Sequence, residues 1–293
     1  MGFVSVPEKT LEHWSSQHLN YRYRSKASLW WPAYGEDINI GWLPRRPGKA
    51  VQIELKTTTV TRPDLHDVRI DLGQLWQYLQ LPLSRQPFYA FPRPTWKGLL
   101  TEAAAQHGIV AAELAYQRSG RTWWFAEWMV VMPAADVADV LGPKFDPRVQ
   151  PGRNASARLV RYDMSVPHPL RRETWATRPP VHMRPLKWRL FWDELEHCGR
   201  PGWPQLVRLP SGILPSSRRF NARTVMEMLS EVRGEGEYEA RDLIELVPDG
   251  DGGFRRSPTE ELGRSLTIDA GPAGTEEHRQ LVYLDASEME PLV

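Results

Sequence analysis

The stretch VQIELKTTTV, Val51–Val60, decides how this chain is read. Its β-branched content marks a strand. Side chains two apart in a strand share a face of the sheet. Glu54 and Lys56 therefore lie together, while Val51, Ile53 and Leu55 point the other way. A solvated edge accounts for this as an exposed charge pair. A site that needs one carboxylate and one ammonium side by side accounts for it equally.

Working outward, EDINIGWL, Glu36–Leu43, and SLWWPAY, Ser28–Tyr34, are expected strands. PRRPGK, Pro44–Lys49, with its Pro and Gly, is the hairpin loop before the central stretch. PEKTLEHWSSQHL, Pro7–Leu19, has helical spacing. On the other side the period changes: Leu72, Leu75, Trp76 and Leu79 make one apolar stripe of a helix. Asp71 is placed to cap it and Pro82 to stop it. PFYAFP, Pro87–Pro92, is a strand and Leu99–Gln117 an Ala-rich helix. Arg121–Pro133 is a long apolar strand, and Ala134–Gly142 a closing helix.

This order assembles one kind of chemistry. Phosphodiester hydrolysis needs divalent cations to neutralise charge on the phosphate. Mg²⁺ takes oxygen ligands and keeps several waters, so two carboxylates and a backbone carbonyl suffice. A nearby Lys stabilises developing charge. Asp37 opens one strand, sixteen residues pass, and Glu54-Leu55-Lys56 follows in the next. Antiparallel pairing brings Asp37 beside Glu54. Leu55 then offers its carbonyl as a ligand and its side chain as an anchor in the core. Glu36, adjacent to Asp37, leaves open which acid is the ligand, and turn preferences alone also place acids there.

Helix, strand, strand with Asp, hairpin, strand with Glu-x-Lys, helix, strand resembles the PD-(D/E)xK nuclease superfamily, the restriction-endonuclease-like fold, over residues 1–145. Gln74 and Tyr78, in QLWQY, look like the Q-x-x-x-Y element of its RecB-like branch; Gln74 also stands where a capping role is open. Glu12, on the first helix, matches the extra acid some members place there. The resemblance implies an α/β fold, a mixed central sheet flanked by helices. It also implies a Mg²⁺- or Mn²⁺-dependent nuclease that acts on DNA in preference to RNA, in repair or anti-phage defence. Asp37 and Glu54 would be metal ligands, with Glu12 as a further one, Lys56 the catalytic lysine, and Gln74 and Tyr78 supporting residues. The alternative is a nuclease-like protein that binds nucleic acid, or joins an assembly, without turnover.

Charge is distributed in blocks. Residues 1–150 carry 17 basic and 14 acidic side chains, residues 151–220 carry 13 and 5, and residues 221–293 carry 7 and 17. A basic block suits a polyanion. Arg22 and Arg24, in the aromatic-cationic run YRYRSK, and Arg45, Arg46 and Lys49 in the hairpin are candidate nucleic-acid contacts. Residues 146–293 are expected to form an α+β accessory or partner-binding region, entered through the Pro/Gly-rich Gly142–Ser156. Leu186–Gly199 and Asn221–Gly234 are its helices, Asp242–Pro248 and Gln280–Ala286 its strands, and DGDGGF, Asp249–Phe254, a turn. One Cys excludes disulfide frameworks and cysteine-held clusters. With no apolar run of membrane-spanning length and no secretory pattern at the start, a cytoplasmic protein without membrane partners is expected.

Overall fold

The computed structural model describes residues 6–31, 43–62, 64–93, 118–119, 122–123, 129–166, 172–179, 184–197, 199–234, 236–257 and 279–288. In chain order the strands are β1 Ala27–Trp30, β2 Gly48–Leu55, β3 Thr58–Arg62, β4 Leu65–Asp71, β5 Pro87–Pro92, β6 Arg118–Ser119, β7 Thr122–Trp123 and β8 Met129–Pro133. They continue with β9 Ser156–Asp163, β10 Glu173–Trp175, β11 Leu186–Lys187, β12 Leu206–Pro210, β13 Arg219–Asn221, β14 Leu243–Pro248, β15 Gly253–Arg256 and β16 Arg279–Asp285. The helices are α1 Glu8–Tyr23, α2 Leu72–Gln80, α3 Ala134–Leu141, α4 Trp188–Glu196 and α5 Ala222–Glu231. The fold class is mixed α/β. None of the described helices is long and apolar enough to cross a membrane.

The chain forms two compact units, and each is assembled from three separate segments. The first comprises Met1–Tyr21, Glu54–Leu79 and Tyr89–Arg189; the second comprises Arg22–Ile53, Gln80–Phe88 and Leu190–Val293. β2 passes from the second unit into the first.

In the first unit a four-stranded antiparallel sheet runs β10-β9-β4-β3. Asp67 on β4 stands directly opposite Arg161 on β9. Its fully buried carboxylate is ion-paired with Arg158 at 2.7 Å and accepts from Arg161 at 3.3 Å and from the Thr61 hydroxyl. Burial alone pushes this carboxyl up, but the bonds from Thr61 and the two arginines outweigh it and hold it below the ordinary aspartate range. The register shifts at Leu159, between the Val68–Val160 and Arg69–Arg158 pairs, and this bulge lets Arg158 and Arg161, three residues apart on β9, reach the same carboxylate. Gly142–Ser156, expected to be a linker, is a run of tight turns that delivers the chain into this sheet.

β5 lies between β2 and β8, and β8 pairs with β11. α2 forms as its spacing predicts. The Asp71 carboxylate accepts from the Gln74 N–H at 2.9 Å, an N-cap. Leu72, Leu75 and Tyr78 form its buried face. Of the long strand expected over Arg121–Pro133, β7 and β8 are described and residues between them lie outside the described set, as do Leu99–Gln117 and residues 32–42.

In the second unit β12 pairs with β2 and β14, β15 joins β14 to β13, and β16 pairs with β1, all antiparallel. Arg208 on β12 faces Glu245 on β14, and the two form a buried ion pair at 2.7 Å. Leu43, Ala50, Leu206, Val247, Leu281 and Tyr283 pack beside it. The Asp249–Gly253 turn joins β14 to β15 as expected. The Asp249 carboxylate accepts from the N–H groups of Asp251 and Gly253, and Gly250 and Gly252 supply the positive φ angles.

α5 is capped by Asn221, whose side chain accepts from the Thr224 N–H at 2.8 Å, and is followed by Gly234 at φ +81°. Asn221→Ala is expected to remove about 1 kcal/mol of stability, and Asn221→Ser to retain most of it, in chemical denaturation.

Candidate active site around Glu54 and Lys56

β2 is buried along its whole length, which rules out the solvated-edge reading of its charges. Glu54, its penultimate residue, has no exposed side-chain surface, and Lys56, just beyond the strand, keeps 13%. The Lys56 N–H donates to the Ala90 carbonyl on β5 at 2.9 Å, which fixes the backbone where strand gives way to loop. From there the Lys56 Nζ reaches Glu54 Oε1 at 2.6 Å. The other carboxylate oxygen, Oε2, accepts from the Tyr78 hydroxyl at 2.8 Å. Tyr78 comes from the last turn of α2, and Tyr89 on β5 packs against it with ring centroids 6.1 Å apart.

Two further acids bear on this group. The Glu8 carboxylate, in the first turn of α1, accepts from the Thr57 N–H at 3.0 Å, and the Thr57 hydroxyl donates to the Val6 carbonyl. Asp71, besides capping α2, adds its charge. Burial works to lower the Lys56 pKa, yet the charges of Glu54, Glu8 and Asp71 and the bond to Glu54 outweigh it and raise it above the ordinary lysine value. Tyr89 is held well above the ordinary tyrosine value, first by burial and then by the charges of Glu54 and Asp71. The ammonium is thus permanently charged at neutral pH and sits among several carboxylates.

The structure brings together Glu54, Lys56 and Tyr78. Leu55 is fully buried, the core anchor its alternation predicts. Gln74 is half-buried in the first turn of α2, where its backbone receives the Asp71 cap. Glu12 is half-buried on α1, and its backbone carbonyl accepts from Ser15 and Ser16. Glu8, one turn earlier, is the α1 carboxylate seen at the Lys56 loop. Asp37 and Glu36 lie outside the described residues.

The cations proposed from sequence fare differently. Arg22 is engaged by Asp193 at 2.7 Å and Glu196 at 2.6 Å, and the Tyr23 hydroxyl donates to the same Glu196. Lys49 is buried, donating to the Leu195 carbonyl at 2.6 Å. Both therefore hold the second unit together. Arg24 and Arg45 are exposed, and Arg46 lies between Glu237 and Asp285 at 3.6 and 3.8 Å.

Glu8 does not stand out in the sequence, where Asp71 reads only as a cap; the one signal for Glu8 is its position four residues before Glu12, on one helical face.

The donors gathered here are carboxylate oxygens, the ligand type that Mg²⁺ and Mn²⁺ take. Among the described residues no three His, Cys, Asp or Glu side chains form a ready cage for a metal ion. A cation that keeps its waters and takes only one or two carboxylates is compatible with that arrangement. No protein-family model matches the chain, and no curated protein or solved structure matches it either.

Proposed function

We infer that the chain is a metal-dependent nuclease of the PD-(D/E)xK type, acting on DNA in preference to RNA. The observation that carries this reading is the buried Glu54 carboxylate, shared between the Lys56 ammonium and the Tyr78 hydroxyl. A strand acid, a lysine two residues on and a tyrosine from the following helix meet at one point. Glu54, the Leu55 carbonyl and Asp37 would hold Mg²⁺ or Mn²⁺, which supplies Lewis-acid stabilisation of charge on the phosphate.

The chain's own groups do the rest. Tyr78 fixes the Glu54 carboxylate in one rotamer. Lys56, the more accessible member of the pair, presents a charged N–H donor to a phosphate oxygen as negative charge builds there. The charges of Glu8 and Asp71 favour the ammonium, and Glu8, accepting from the Thr57 N–H, fixes the loop that carries it.

The test is incubation of the purified protein with supercoiled plasmid and with single-stranded DNA and RNA, in Mg²⁺, Mn²⁺ or EDTA. Cleavage is expected with either metal and none with EDTA, and Glu54→Gln is expected to lower it at least 100-fold. Metal-independent cutting, or full activity in Glu54→Gln, overturns the assignment.

A second reading is favoured by the complete burial of Glu54, with both oxygens engaged internally. The pair then serves as a structural lock in a protein that binds nucleic acid without cutting it. Binding that is salt-sensitive and indifferent to metal, with no cleavage under any condition, supports that reading.

A further inference from the structure

The first unit contains a second concentration of charge that the Glu54 site does not use. A cleft of about 550 Å³ is lined by Arg93, Arg178, Arg184 and Lys187, with Glu173, Tyr162 and Trp175 among its walls. Arg93 follows β5, Glu173 and Trp175 belong to β10, and Lys187 closes β11, so strands β8 to β11 carry half of the lining and the segments beside them the rest. Glu173 pairs with Arg93. Four cations against one carboxylate leave the lining at a formal +3 (4 − 1). Arg178, Arg184 and Lys187 are exposed. Trp175 is half-buried and held edge-on to Phe91, with centroids 6.5 Å apart.

We propose that this cleft binds a single strand of nucleic acid, with its phosphates on Arg178, Arg184 and Lys187 and a base against Trp175. Cations that follow a backbone beside an aromatic ring are the common device for single strands, because every base has a stackable face. Arg is suited to phosphate by its planar, bidentate fork. The enclosure is the size of a small-ligand site, on the order of 300–1,000 Å³, which admits a splayed strand rather than a duplex.

Position links the cleft to the Glu54 site. Arg93 is three residues beyond Ala90, whose carbonyl holds the Lys56 N–H. Three residues of extended chain span at most about 11 Å, so one strand seated in the cleft reaches the Lys56 loop within a few nucleotides. The proposal deepens the nuclease reading by naming a single strand as substrate, and only this last step rests on that reading.

Binding is therefore measured in EDTA, where metal-dependent cutting is absent, by fluorescence anisotropy of a labelled 12-nucleotide DNA across a salt series. Arg178→Glu/Arg184→Glu is expected to weaken binding more than tenfold and to flatten the log–log salt slope by about 1.4 or more. Trp175→Ala is expected to weaken it about tenfold with the slope unchanged. A matching duplex is expected to bind more weakly than the single strand. The two arginines are exposed, so the charge-reversed protein should melt like wild type, which circular dichroism checks. Undiminished binding in that variant, or preference for duplex, overturns the proposal. Charge-dependent single-strand binding without any cleavage leaves the cleft assigned and removes the nuclease reading alone.

Discussion

Lys56→Met is expected to abolish metal-dependent cleavage, at least 1,000-fold, and also to cost about 3–5 kcal/mol of stability, because removing one member of a buried pair strands the other charge. The two effects have separate origins and can be separated. In the single variant the Glu54 carboxylate is left in the core without its cation, which is the origin of the stability loss and is independent of any step in catalysis.

In the wild-type pair the lysine is held above its ordinary value, burial being outweighed by Glu54 and the nearby carboxylates, so its contribution is complete below that ordinary value and is lost only as pH climbs past the raised one. Glu54→Gln/Lys56→Met removes both charges and should recover most of the stability in urea titrations. It should recover none of the cleavage. That pattern assigns the Glu54–Lys56 pair to chemistry as well as to structure. Cleavage by the double variant at wild-type rate would confine the pair to structure and remove it from the catalytic machinery.

The part of this site written in the sequence is the part built from local spacing. Glu54 and Lys56 share a face because strands have a period of two, and Tyr78 lies on the α2 face that includes Leu75 because helices have a period of 3.6. The Asp71 cap and the stop at Pro82 follow from backbone groups left unpaired at helix ends.

What was not written is anything that depends on a partner far along the chain. Glu8 looks like an ordinary acid favoured by the first turn of a helix, and only the fold brings it to Thr57. Lys49 and Arg22 look like surface cations until Leu195 and Glu196 are seen beside them. Arg158 and Arg161 carry no signal of their own and become intelligible once β9 is paired with β4, where Asp67 is buried and needs them. The cleft is illegible in the sequence for the same reason: its cations come from the residue after β5, from β11 and from the chain between β10 and β11, and composition shows them only as an excess of basic side chains.

Gly48→Ala is expected to be the most damaging single-methyl substitution in the second unit. Gly48 opens β2 directly opposite Arg208 of β12, inside a strand, where glycine ordinarily weakens a sheet by lacking a side chain to pack. Its presence is explained by what crosses it. A Cβ at this position would stand 2.2 Å from the Leu284 carbonyl oxygen and 2.8 Å from the Tyr283 ring. The obstacle is backbone, belonging to β16, and it cannot rotate away. Tyr283 is itself tied down, its hydroxyl donating to the Arg46 carbonyl, and the Ala286 N–H donates to the Pro47 carbonyl. Relief therefore requires β2 and β16 to separate and break contacts around Tyr283 and Leu281.

Overpacking of this kind costs typically about 1–3 kcal/mol where side chains can adjust, so a backbone collision should reach or exceed the upper figure. For a unit of this size about 3 kcal/mol corresponds to a Tm lowered by roughly 6–12 °C. Gly212→Ala is the control, since a Cβ there meets nothing within 4 Å, and it should melt within about 1–2 °C of wild type. Calorimetry of the two variants decides the point. If Gly48→Ala melts with the control, β16 does not cross β2 at Gly48, and the pairing of β16 with β2 has to be redrawn.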